Sequence, residues 1–154
     1  MNNRQNNHAI VKDIGLTLLS EGKTIRIKAH GYSMYPCIKP GSLLLIEPLM
    51  TKGLPRPGEI IAIKRERGLI VHRLSKIIDE NGLIWYIARG DSNAFADNPV
   101  DLNVIAGRVV RAESTGENPI PADIKINLKP HHFMNRIRVI CVILMKRIGK
   151  FLKY

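Results

Sequence analysis

Apolar and polar residues change their period twice along this chain. Within residues 8–21, apolar side chains recur at Ile10, Val11, Ile14, Leu18 and Leu19, which is helical spacing. Gly22 supplies a stop for that helix. From Thr24 to Ala29 the period becomes two: Ile25, Ile27 and Ala29 alternate with Arg26 and Lys28, as in a half-buried strand. Short strands are predicted again over Leu43–Glu47, Glu59–Lys64, Leu69–Ile78, Leu83–Arg89 and Val104–Ala112. Turn signals separate them at Pro40-Gly41, Lys52–Gly58 and Glu80-Asn81-Gly82. Asn-Gly takes the positive φ values a tight hairpin needs, so Leu83–Arg89 is expected to pair back on the preceding strand. Polar loops are expected over Gly90–Asn103 and Ser114–Pro121. The helical period returns over 136–153. The pattern therefore predicts a mainly β body, twisted or barrel-like, between an N-terminal helix over 1–22 and a C-terminal helix over 130–154, with the β domain at 23–129.

The last segment differs in charge as well as in period. The chain carries 24 Lys and Arg against 13 Asp and Glu, a net +11. Residues 1–123 hold 16 of the basic residues and all 13 acids, a balance of +3, whereas residues 124–154 hold eight basic residues and no acid. On a helix turning about 100° per residue, Ile137, Ile140, Cys141, Leu144, Met145, Ile148, Phe151 and Leu152 share one side. Arg136, Lys146, Arg147, Lys150 and Lys153 gather roughly opposite, with Val139, Val142 and Ile143 among them. The unbroken apolar run, Val139 to Met145, falls well short of the about 20 residues a membrane span needs. Two readings follow: residues 135–154 lie on an anionic membrane surface, or the apolar arc docks on the β body. The low aromatic share, 5%, argues against a stacking platform for nucleic acid. The polar start, MNNRQNNHAI, lacks the plan of a signal peptide, so a cytoplasmic or peripherally membrane-associated protein is expected.

Composition narrows the class without naming it. The chain's 154 residues suit one domain, and 45% hydrophobic content allows a packed core. Two cysteines, Cys37 and Cys141, make no disulfide framework. No cluster of His, Cys and carboxylates has metal-ligand spacing.

Three stretches carry candidate chemistry. In His30-Gly31-Tyr32-Ser33-Met34-Tyr35-Pro36 a strand ends, Gly31 permits an unusual backbone angle, and Ser33 sits at the bend. A serine there exposes its hydroxyl and its backbone N–H together, which suits a nucleophile with an oxyanion donor. An ordinary turn explains the same residues. In Ile70-Val71-His72-Arg73-Leu74, alternation puts His72 on the face of Ile70 and Leu74, where a core histidine competes with a general base. His30 is the rival base, three residues before Ser33, and Cys37 is a rival thiol nucleophile. In Ala88-Arg89-Gly90-Asp91-Ser92-Asn93-Ala94-Phe95-Ala96-Asp97 two carboxylates lie six residues apart in a turn. One carboxylate can brace the loop and the other can hold an imidazole.

In this order the motifs resemble the superfamily that contains signal peptidase I and the LexA-type self-cleaving repressors, over about residues 24–112. GYSMYPCIKPGS is similar to its nucleophile box, PGEIIAIK to the strand that follows, IVHRL to the segment bearing the general base, and ARGDSNAFAD to its closing Gly-Asp-Asn box. With histidine where most members have lysine, the chain most resembles signal peptidases of the endoplasmic-reticulum, archaeal and sporulating-bacterium type. The resemblance implies Ser33 as nucleophile, His72 as base, Asp97 as the acid supporting it, and Gly90 and Asp91 as loop-bracing residues. It implies a serine endopeptidase that cleaves a peptide or leader sequence after small side chains, with no metal or organic cofactor. The chain departs from the pattern at Gly31, where the family's helper hydroxyl stands, and at Tyr32, where a glycine is usual in signal peptidases. Gly31 and Ser33 would then form the oxyanion turn, with the Ser33 N–H as one donor and the second from backbone or water, and one missing donor costs about 3 kcal/mol of transition-state stabilisation. A non-catalytic peptide-binding module on the same fold and a LexA-like regulator are the alternatives.

Overall fold

The computed structural model describes residues 13–51, 53–66, 68–113 and 131–151, with side chains as far as 148. Helix α1 is described over 13–20; the rest of the expected helix, including His8, Ile10 and Val11, lies outside the described residues. Gly22 ends it as expected. With φ of 79° there, the Gly22 N–H reaches Leu19 O and the Lys23 N–H reaches Leu18 O, a left-handed cap that an L side chain would strain.

Six strands follow: β1 Ile25–Lys28, β2 Leu43–Glu47, β3 Ile60–Arg65, β4 Gly68–Glu80, β5 Leu83–Arg89 and β6 Ile105–Glu113. Each falls within a residue or two of a predicted strand. Short 3-10 turns at Leu49–Thr51 and Leu102–Val104 interrupt the connections. The strands form one antiparallel sheet in the order β1-β2-β6-β3-β4-β5. The sheet is open: β1 and β5 are its edges and do not pair with each other. The barrel form of the expectation is thereby corrected. The β4–β5 hairpin turns at Asn81 (φ 56°) and Gly82 (φ 85°), the two positive angles foreseen for Asn-Gly.

Both faces of the sheet carry a core. The side chains of β3 alternate between them: Ile60 and Ala62 join one cluster, Ile61 and Ile63 the other, and all four are fully buried. The first cluster draws in Leu19 from α1, Leu44 and Ile46 from β2, and Met34 and Ile38 from the loop after β1. The second gathers Leu74, Tyr86, Ala88, Val100 and Ile105. Burying an aliphatic side chain contributes about 1.5–3 kcal/mol, so Met34 and Ile38 pin the serine-bearing loop to the sheet.

The C-terminal helix, α2, runs from His132 to Phe151. It touches the body along one line that begins and ends in a polar bond. Asn135 is buried and its Nδ2 donates to Asp91 O at 3.1 Å; three turns on, Lys146 Nζ donates to the Tyr32 hydroxyl at 2.7 Å. Val139 and Val142, half-buried, lie on the same helical line. The apolar arc of Ile137, Ile140, Leu144 and Ile148 is on the opposite side and exposed. Of the two readings of this segment, the one that packs the arc onto the β body is not what the described residues adopt. The expected loop over Ser114–Pro121 and the side chains of Lys150 and Lys153 lie outside the described residues.

Candidate functional site

The loop from Ala29 to Ser42 is closed at its neck by two backbone bonds, Ala29 N–H to Ser42 O at 2.7 Å and Gly41 N–H to Ala29 O at 2.9 Å. Gly31 has φ of 78°, the left-handed region, and opens the turn that brings Ser33 round. Tyr35 N–H to Tyr32 O and Ile38 N–H to Met34 O then tighten the chain behind the serine. Ser33 is thus held between a glycine hinge and two core anchors.

The loop after β5 packs against the serine loop backbone to backbone. Ser92 N–H donates to Ser33 O at 2.9 Å, and Ser92 Oγ donates to Tyr32 O at 2.6 Å. Gly90 makes this approach feasible: a Cβ there would stand 2.7 Å from Ser33 O and 2.8 Å from Asn93 Cγ. Arg89 holds the loop's far side, its guanidinium donating to the carbonyls of Asn93 and Ala94.

His72 sits on β4, opposite Ile61 of β3 in the sheet register, and is 6% exposed. Its Nδ1 lies 2.6 Å from Asp97 Oδ2. Asp97 is placed by its own backbone, whose N–H bonds to Ala88 O at 2.8 Å. In a neutral imidazole, a carboxylate on Nδ1 selects the tautomer with the hydrogen on Nδ1 and leaves Nε2 as acceptor. Asp91 goes elsewhere. Its two oxygens take Arg73 Nε at 2.9 Å and Arg73 Nη2 at 2.8 Å, a bidentate pair in which both side chains are buried. Burial opposes the Arg73 charge, but the Asp91 carboxylate outweighs it and holds the guanidinium above its ordinary value. Arg73 also donates to Gly58 O at 2.8 Å and to Cys37 Sγ at 3.5 Å. Neighbouring residues on one strand, His72 and Arg73, therefore point to opposite faces and collect the two carboxylates of one loop.

Ser33 and His72 line the same cavity, of about 380 Å³. Gly31, His30 and Asn93 lie at its rim, and Ile27, Met34, Ile38, Leu44, Leu69 and Val71 give it apolar walls. Two stretches of the cavity wall are sheet edge. Among the described residues β1 pairs only with β2, and Ile27 and Lys28 of β1 line the cavity. Among the described residues β4 pairs with β5 only from Arg73 onward, which leaves Leu69–His72, also in the lining, with one unpaired side. An extended peptide between these edges would find ladder donors and acceptors with apolar space beneath.

Ser33, Gly31 and His72 line one cavity, Asp97 holds His72, and Gly90 and Asp91 belong to the loop that packs on Ser33. His30 shares the cavity. Cys37 lies under the loop against Arg73 and does not line the cavity. Sequence reasoning missed Arg73, Ser92 and Lys146 as parts of this region. Arg73 carried a signal, a charge next to a buried histidine on an apolar strand. Ser92 and Lys146 carried none, since they act across 59 and 114 residues respectively. No protein-family model matches the chain, and no curated protein is significantly similar to it.

Proposed function

We propose that this protein is a serine endopeptidase whose nucleophile is Ser33, whose general base is His72 and whose imidazole-orienting acid is Asp97. The observation that carries the reading is the 2.6 Å contact of Asp97 with His72 Nδ1 on the wall of the cavity that Ser33 also lines. A buried histidine needs a partner for one nitrogen; a structural one would place both nitrogens in the core, whereas this one borders the cavity that Ser33 also lines. In the proposed reaction Ser33 Oγ attacks the scissile carbonyl carbon while His72 Nε2 takes its proton. The imidazolium, stabilised by Asp97, returns that proton to the leaving amine. Water then attacks the acyl carbon while Nε2 takes its proton, and the imidazolium returns that proton to Ser33 Oγ as the ester bond breaks and the acid leaves. The Ser33 backbone N–H supplies one oxyanion donor. The substrate is an extended peptide, such as a leader or precursor segment, held between the edges of β1 and β4.

The experiment is covalent labelling with a fluorophosphonate probe, located by mass spectrometry. Labelling at Ser33 is expected in the wild-type protein, and loss of labelling and of peptide cleavage in Ser33→Ala with an unchanged thermal melt. A protein that binds peptide but never labels at Ser33 is a peptide-binding module, and the peptidase reading then fails.

A further inference from the structure

We propose that α2 docks this protein on an anionic membrane surface, with the outward arc of the helix in the interface and the cavity beside Ser33 held above it. The inference goes beyond the peptidase reading and does not rest on it.

The helix is inverted relative to ordinary amphipathic packing. An amphipathic helix on a globular body turns its apolar stripe inward. Here the inward line is Asn135, Val139, Val142 and Lys146, fixed at two points by Asn135 to Asp91 O and Lys146 to Tyr32. Outward, at successive turns, stand Phe133, Ile137, Ile140, Leu144 and Ile148, which are 41% to 75% exposed. Five large apolar side chains in one exposed row exceed the scattered exposure normal on a soluble surface.

The charge beside the row selects its occupant. At about 100° per residue, Arg136 and Arg147 flank the row on one side and Arg138 on the other. All three are exposed. No acid occurs anywhere in 124–154. A protein partner's apolar groove would be rimmed by acids on a few sites, whereas a bilayer with anionic headgroups meets a row of this length with negative charge on both flanks. Among the described residues no helix is long and apolar enough to cross a membrane, so α2 would lie in the surface plane.

The attachment points decide what docking does to the cleft. Tyr32 precedes Ser33, and Asp91 belongs to the loop that packs on it, so α2 is fastened to the two loops that build the site. The arc is on the far side of the helix from those loops. A docked molecule therefore carries its cavity about one helix diameter, roughly 10 Å, above the headgroups.

The test is flotation of the full chain with vesicles of phosphatidylglycerol and phosphatidylcholine in equal parts, against phosphatidylcholine alone, at low and high salt. The wild-type protein is expected to float with the anionic vesicles at low salt only. Each arginine near such a surface contributes roughly fivefold in partition, so Arg136→Gln with Arg147→Gln should weaken binding about 25-fold. Leu144→Glu should lower it further, with an unchanged thermal melt because the side chain is already exposed. Ser33→Ala should float as wild type does, which separates this proposal from the peptidase reading. Any of these results overturns it: no flotation of the wild-type protein; equal flotation with zwitterionic vesicles; or a wild-type dimer in sedimentation that Leu144→Glu converts to monomer while vesicles remain unbound, which assigns the arc to a second copy. A lowered melt in Leu144→Glu without wild-type flotation assigns the arc to the chain's own fold and overturns it equally.

Discussion

Asp91 and Asp97 stand on one loop, six residues apart, in opposite surroundings. Asp91 is 2% exposed, and both its oxygens are taken by a guanidinium that is itself buried. Asp97 is partly open to solvent, and one of its oxygens meets a buried imidazole. A buried pair with every bond made is rigid, and removing one member leaves an uncompensated charge in the core. A half-open carboxylate on a histidine next to a cavity has a different capacity: it can support a positive charge that comes and goes. On the proposed reading, the same residue type is divided between architecture and chemistry by which side of β4 it faces. His72 and Arg73, adjacent on that strand, do the sorting.

Substitutions break the comparison in order of size. On the proposed mechanism, Asp97→Asn is expected to lower turnover about 10³- to 10⁴-fold, since an asparagine amide can donate to Nδ1 and put the imidazole hydrogen on Nε2. Its melting temperature should stay near that of the wild type, because the side chain is small, partly solvated and not part of the apolar core. Peptide cleavage and a thermal melt, measured on the same preparation, check both halves. An unfolded Asp97→Asn protein would mean that Asp97 is the architectural acid.

Asp91→Ala should act the other way. Breaking the buried pair costs about 3–5 kcal/mol. For a chain of this size that lowers the melting temperature by roughly 10 °C or more. Replacing both partners by apolar residues of similar volume, Arg73→Met with Asp91→Leu, should recover part of that loss, because no bare charge then remains in the core. The double variant will not recover all of it, since the Arg73 bond to Gly58 O goes too. Calorimetry of the three proteins provides the check. A double variant less stable than Asp91→Ala would show that the pair's worth is in its own attraction rather than in avoiding an orphaned charge.

How much of this was legible before any coordinates depended on the range of the interaction. The six strands were legible because burial on a sheet imposes a period of two or a short apolar run, and both survive in sequence. The Asn81-Gly82 turn and the Gly22 cap were legible because their backbone angles restrict residue type. The motifs around Ser33, His72 and Gly90 could be picked out one by one, but nothing in their spacing says that Ser92 meets the backbone of Ser33 or that a Cβ at position 90 would strike it. The closure of the sheet was not legible, since alternation describes a barrel and an open sheet equally. On α2 the helical wheel picked out the apolar arc but could not say which side meets the body. Val139 and Val142, which fall among the basic residues, were the only trace of the inward line.

Ser92→Ala is the mildest test of the division between architecture and chemistry, and it falls on the seam between them. Ser92 is 8% exposed, and its hydroxyl lies 2.6 Å from Tyr32 O and 3.1 Å from Ser33 O. Alanine removes the donor and leaves Tyr32 O without it, which costs about 1 kcal/mol. The bond from Ser92 N–H to Ser33 O is backbone and survives the change. Met34 and Ile38 still pin the loop from the other side. The melting temperature should therefore fall by about 2–4 °C, and the rate of Ser33 labelling should change less than that of Asp97→Asn. A large loss of labelling with a wild-type melt would mean that the Ser92 hydroxyl, and not the backbone ladder beside it, sets where the nucleophile stands. Asp91's loop would then be part of the chemistry after all, reaching Ser33 through its next residue.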